Sequence, residues 1–274
     1  MRKLIVLTFC CSFLFIGCTN IEVTEGDAFD VKRTISPLYF DESEIRLEEI
    51  HFPTADGLEL EGWYMSEKGR DRTVLFIGGN GFVIAASYHI ITSIIEQNVN
   101  LMVFNFRGYG TNPGTPSVEG VVKDTEAAYR YLTGERGVSP DSVILHGHSL
   151  GSILAANLIN RYPADRIVLE SPLTGARDLT SRLVPGILKP FIRFTVDPAL
   201  LRMSNFTEVP KISEPILFIT GGADNVTPKE MAEELYEIAV SADKRLEILD
   251  AGGHNDLPER DDYRKILTEF YQGL

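Results

Sequence analysis

Val143-Ile144-Leu145-His146-Gly147-His148-Ser149-Leu150-Gly151-Ser152 decides the fold. An apolar run, Val143–Leu145, leads into Gly147-His148-Ser149-Leu150-Gly151, and a stretch with Ile153, Leu154 and Leu158 on one helical face follows. This is G-x-S-x-G in strand–turn–helix context. A turn tight enough to join that strand to that helix strains the serine and crowds the positions two residues to either side, and glycine at both positions relieves the crowding. The Ser149 hydroxyl is then pushed out at the carboxyl end of a sheet, with a helix N-terminus beneath it. The plainer alternative is an ordinary βα turn with Ser149 capping the helix. Glycine at both flanks favours the strained elbow.

Outward from this segment the pattern repeats. Val74–Ile77, Leu101–Phe104, Ile167–Leu169 and Ile216–Ile219 are further short apolar runs, and Leu246–Leu249 is another, interrupted by Glu247. Strands without alternation are what a parallel sheet covered on both faces requires. Helix-period stretches lie between them at Val83–Glu96, Val118–Leu132, Leu150–Asn160 and Glu230–Ala239. At the start, Arg46–Phe52 and Leu58–Tyr64 alternate and are joined by Thr54-Ala55-Asp56-Gly57, a hairpin signal. The reading is α/β: a mostly parallel eight-stranded sheet with helices on both faces, in one domain from residue 45 to 274.

A serine hydroxyl needs a base, and the base needs an orienting acid. Of five histidines, His146 and His148 belong to the strand and elbow, His51 to the hairpin and His89 to a helix. His254 instead follows a strand on a glycine loop, Asp250-Ala251-Gly252-Gly253-His254, and is the candidate base. Asp224, in Gly221-Gly222-Ala223-Asp224 after Ile216–Thr220, is the candidate acid, and the order Ser149, Asp224, His254 suits this topology. Glu170, directly after the preceding strand, is its rival. Asp256 sits too close to His254 along the chain to be preferred. For the oxyanion the candidate donors are the backbone N–H of Leu150 and that of Asn80, in Gly78-Gly79-Asn80-Gly81. A phosphate-cradling loop would continue with Gly-Lys-Ser or Gly-Lys-Thr, and this one does not. Arg107, in Arg107-Gly108-Tyr109-Gly110, reads as structural. No metal or organic cofactor is called for.

Together, Gly79-Asn80, Arg107-Gly108-Tyr109-Gly110, Gly147-x-Ser149-Leu150-Gly151, Gly221-x-x-Asp224 and Gly253-His254-x-Asp256 resemble the α/β-hydrolase superfamily. The resemblance is to its lid-poor, depalmitoylase-like and serine-aminopeptidase-like branch, over roughly residues 45–274. It implies a hydrolase of an ester, thioester or amide. The branch often carries His-Gly-Asn at the oxyanion loop where this chain has Gly78-Gly79-Asn80, which leaves the backbone donor and removes one polar side chain.

All three cysteines, Cys10, Cys11 and Cys18, precede residue 19, so the domain holds no disulfide and no thiolate metal site. Met1-Arg2-Lys3 and the apolar run Leu4–Ile16 form an export signal, too short to span a bilayer. Phe15-Ile16-Gly17-Cys18 resembles the lipobox of bacterial lipoproteins, which implies cleavage before Cys18, a lipid on its thiol and retention at the membrane of a bacterial cell envelope. Residues 1–17 read as signal peptide and 18–44 as a tether. The full chain carries a net charge of −13, and loss of Arg2 and Lys3 makes it −15, which argues against nucleic-acid partners. A cap segment, about residues 172–210, combines apolar side chains with a basic excess: Arg177, Arg182, Lys189, Arg193 and Arg202 against Asp178 and Asp197. It suits an apolar acyl pocket or an anionic lipid surface.

The expected function is a membrane-tethered serine hydrolase that cleaves a small-molecule carboxylic ester or thioester through an acyl-enzyme. The rivals are a peptidase of aminopeptidase type and a non-catalytic, lipid-anchored binding module that keeps the fold. An intact set of Ser149, Asp224 and His254 argues against the last.

Overall fold

Period-two alternation along buried strands sends successive side chains to opposite faces, and here both faces are filled. The computed structural model describes residues 19–29, 46–176 and 192–274. Eight strands form one sheet: β2 (Arg46–Pro53), β3 (Glu59–Ser66), β4 (Thr73–Ile77), β5 (Asn100–Phe104), β6 (Val143–His148), β7 (Arg166–Glu170), β9 (Ile216–Gly221) and β10 (Lys244–Leu249). Their spatial order is β2-β3-β5-β4-β6-β7-β9-β10. The β2–β3 and β3–β5 pairings are antiparallel and the others parallel. The eight-stranded α/β reading therefore holds, hairpin included. Every residue of β4, β5, β6, β7 and β9 is buried, which is why these strands read as unbroken apolar runs.

Leu75, Met102, Leu145 and Phe218 join one core with α3 (Val118–Arg130), α4 (Leu150–Ile159) and α7 (Lys229–Ile238). Val74, Leu101, Ile144 and Leu217 join the other with α2 (Tyr88–Ile95) and α8 (Asp261–Gln272). The helix predicted over Val83–Glu96 is divided. Ile84–Ala86 form a single 3-10 turn, and α2 begins only at Tyr88. Asn105 Oδ1 accepts the Ile84 N–H (2.9 Å) and Ser87 Oγ donates to the Val83 carbonyl (2.8 Å), local bonds that compete with a continuous helix.

Within the stretch read as a tether, β1 (Thr19–Val23) pairs in parallel with β8 (Ile192–Val196). α1 (Glu25–Ala28) follows, and its Glu25 carboxylate accepts the N–H of Val118 at the start of α3 (2.5 Å). Phe29 is buried in the core. Of the cap, the structure describes β8, α5 (Pro198–Arg202) and α6 (Asn205–Glu208), with Leu200 and Met203 buried. Arg177, Arg182 and Lys189 lie outside the described residues.

Candidate active site

The elbow forms because glycine lets three backbones meet. A Cβ on Gly147 would lie 2.3 Å from the Gly151 carbonyl oxygen, and one on Gly151 2.0 Å from that of Ile77. Ser149 sits between them at φ 53°, ψ −117°, a strained conformation for a residue with a side chain. It is held there from both sides. Its N–H donates to the Glu170 carbonyl (2.9 Å), and its own carbonyl accepts from Ser152 Oγ (2.6 Å).

Two loops at the carboxyl edge reach this serine. His254 Nε2 lies 3.1 Å from Ser149 Oγ, and His254 Nδ1 lies 2.7 Å from Asp224 Oδ2. A carboxylate only accepts, so the imidazole proton sits on Nδ1 and the Nε2 lone pair faces the hydroxyl. Asp224 is fully buried at its side chain and His254 is 12% exposed. Burial pushes the Asp224 carboxyl up, but its bonds to His254 and Thr227 outweigh that and hold it below the usual carboxylate range. Oδ1 accepts the N–H groups of Val226 and Thr227 (both 2.8 Å), and Thr227 Oγ1 donates to Oδ2 (2.8 Å). Asp224 is thus ionised and aimed. A hydroxyl, imidazole and carboxylate in this series can deliver a serine oxygen to an electrophilic carbon and carry its proton away.

Asn80 is exposed on the loop after β4, and its Oδ1 accepts from the Tyr109 hydroxyl (2.9 Å). A Cβ on neighbouring Gly79 would come within 3.0 Å of Ser149 Cβ, so the main chain of this loop lies against the elbow. Leu150 opens α4 directly after the serine.

Glu170 faces elsewhere. It is 2% exposed and accepts from His146 Nε2 (2.9 Å) and the Tyr263 hydroxyl (2.8 Å), while the Tyr271 hydroxyl lies 2.6 Å from His146 Nδ1. This polar cluster ties β6 and β7 to α8. Asp256 accepts the Gly253 N–H (2.7 Å). His51 is exposed and His89 half-buried. Arg107 bridges Asp124 (2.7 Å), whose side chain is fully buried, and Asp56 (2.9 Å). Burial alone would lower the Arg107 guanidinium, but both carboxylates hold it above its ordinary value. Removing one partner of such a buried pair costs about 3–5 kcal/mol, a structural role. Thr227, which aims Asp224, carries no motif of its own, and Tyr109, which meets Asn80, lies in Arg107-Gly108-Tyr109-Gly110, whose sequence gives it no role at the site. An Asx-turn reading of Asp224-Asn225-Val226-Thr227 would have found the first.

The comparisons agree with this architecture. The sequence model of the family described as serine aminopeptidase, S33 matches residues 69–203 and 189–261. The uncharacterized protein Rv2307c of Mycobacterium tuberculosis is 32% identical over 218 residues, 78% of this chain and 74% of that protein. The alpha/beta hydrolase domain-containing protein WAV2 of Arabidopsis thaliana is 27% identical over 228 residues, 76% of this chain and 72% of its own. Among solved structures, the Pyrococcus furiosus esterase Pf2001 shares the fold with a TM-score of 0.73, over 89% of this chain and 98% of that one, at 19% identity. By the extent of these matches, this chain belongs to the serine aminopeptidase S33 family of α/β hydrolases.

Proposed function

We propose that this hydrolase cleaves a small-molecule carboxylic ester or thioester through an acyl-enzyme on Ser149. The observation that carries the reading is the aligned series Ser149 Oγ, His254 Nε2 (3.1 Å), His254 Nδ1, Asp224 Oδ2 (2.7 Å). Ser149 Oγ attacks the carbonyl carbon as its proton passes to His254 Nε2, and Asp224 stabilises the imidazolium. The backbone N–H groups of Leu150 and Asn80 take the charge that builds on the carbonyl oxygen. The alkoxide or thiolate leaves with the proton from Nε2. Water then attacks the acyl carbon by the same relay, releasing the acid and restoring the serine.

The esterase named for the Pyrococcus structure favours this chemistry, whereas the family's description names an aminopeptidase. Binding an N-terminal ammonium needs a carboxylate at the site mouth. Three carboxylates considered at the site are engaged: Asp224 with His254, Glu170 with His146 and Tyr263, Asp256 with the Gly253 N–H. The discriminating experiment is a screen of the protein against p-nitrophenyl esters of graded chain length and a panel of aminoacyl amides. Turnover of esters with little on the amides is expected. Turnover confined to the amides would replace this reading with the peptidase.

The location we propose is a bacterial cell-envelope membrane, through lipid on Cys18. That residue lies outside the described residues, and the support is the Phe15-Ile16-Gly17-Cys18 pattern. Among the described residues no helix is long and apolar enough to cross a membrane. A free tether over residues 19–44 would reach roughly 85 Å at about 3.3 Å per residue. With Thr19–Val23 paired to Ile192–Val196, lipid on Cys18 would hold the domain close to the membrane rather than at the end of a free tether. Cys18→Ser should move the protein from the membrane to the soluble fraction on cell fractionation. Retention in the membrane would rule out the lipid as the anchor.

A further inference from the structure

His148, the residue immediately before the nucleophile, is spent on neither the triad nor the oxyanion donors, yet it is buried between them. Its Nε2 lies 3.1 Å from the main-chain carbonyl oxygen of His254. A carbonyl only accepts, so Nε2 carries the proton and donates. The two imidazole rings pack with centroids 5.0 Å apart, tilted by 45°. On its other side the ring borders the oxyanion loop, where a Cβ on Gly79 would come within 3.0 Å of His148 Nδ1.

The loop that carries His254 has little else to hold that residue's backbone. It contains Gly252 and Gly253, and Ala251 has a φ of +58°. Gly252 is tied at both ends, through its N–H to Leu249 (3.0 Å) and its carbonyl to Ala223 (2.8 Å), and the Gly253 N–H goes to Asp256. At His254 the described main-chain hydrogen bond is the one from His148. The imidazole is fixed at its tip by Asp224 and Ser149, and at its root by His148. A base displaced by about 1 Å from its nucleophile loses on the order of 10²-fold in rate.

We infer that His148 is a positioning residue: through the Nε2–H bond to the His254 carbonyl it registers the loop bearing the base against the elbow bearing the nucleophile. Burial, the first influence on the ring, holds its pKa below the ordinary imidazole value, so it stays a neutral donor while His254 takes up the proton. The inference rests on the reading of Ser149 and His254 as nucleophile and base.

The position of the donor gives a test. The substitution His148→Gln places an amide N–H near the Nε2 position, whereas His148→Asn places it near Nδ1, and His148→Phe fills the ring volume with no donor. The full chain is assayed on a short p-nitrophenyl ester, with fluorophosphonate labelling rates alongside. H148F and H148N should lose about 10²-fold in kcat with KM within about twofold, and their labelling should slow in parallel, because both reactions need the same base. H148Q should recover at least about tenfold over H148N. Packing alone would let H148F work as well as wild type, and that result would overturn the inference. So would equal kcat for H148Q and H148N, which decides the matter even where H148F fails to fold, or a loss confined to KM. Full labelling of Ser149→Ala would instead sink the underlying reading of the nucleophile, so the two failures are distinct.

Discussion

Ser149→Ala should abolish both ester turnover and fluorophosphonate labelling, with kcat falling by a factor of about 10⁶ and only the acceleration due to binding and oxyanion donors left. The size follows from the arrangement. The attacking atom is gone, and the described hydrogen bonds of His254 offer Nε2 no other hydroxyl, since Asp224 and Thr227 lie at Nδ1. The fold should survive, because the elbow is built by Gly147, Gly151 and the main-chain bond to Glu170 rather than by the hydroxyl. Circular dichroism identical to wild type, together with loss of turnover, is the expected pair of results. Undiminished labelling would move the nucleophile to another residue.

Asp224→Asn should lower kcat by about 10⁴-fold, the loss expected when an amide in place of the carboxylate leaves the imidazole in the wrong tautomer. Glu170→Gln should do far less to turnover, because Glu170 contacts His146 and Tyr263 and not His254. Its effect belongs to stability. Burial pushes the Glu170 carboxyl up, yet the bonds from His146 and Tyr263 prevail and hold it below the ordinary value. A carboxyl whose folded pKa is depressed stabilises fully above its unfolded value, about 4.3, and loses that contribution as the pH falls through the folded value. The stability gap between wild type and E170Q in urea should therefore be widest near neutrality and close on acidification. Collapse of turnover in E170Q with D224N still active would reassign the acid.

Val74–Ile77 and Ile216–Ile219 were legible as strands because burial on both faces leaves no polar position to interrupt them. The elbow was legible because its geometry permits only glycine at 147 and 151. Helix α8 is less plain in the sequence, although Tyr263, Leu267, Phe270 and Tyr271 fall at helical spacing between Asp261-Asp262 at its start and Gly273 (φ 74°) at its end. Its charged outer face masked the buried stripe. The β1–β8 pairing was hidden for another reason: a five-residue strand whose partner lies about 170 positions later leaves no local pattern. Of the supports of the site, Tyr109 beside Asn80 is a contact that only the fold brings together, whereas Thr227 under Asp224 is a turn contact within one short stretch of chain.

Catalysis by Ser149 requires a covalent acyl-enzyme on its hydroxyl oxygen. Rapid acid quench of the protein during turnover of a bulky, slowly deacylating p-nitrophenyl ester, followed by peptide mass spectrometry, tests it directly. The acyl mass should appear on the peptide containing Ser149, match the burst of p-nitrophenol in amount, and be absent from Ser149→Ala. Turnover with no adduct, or an adduct on a different residue, would exclude Ser149 as the nucleophile.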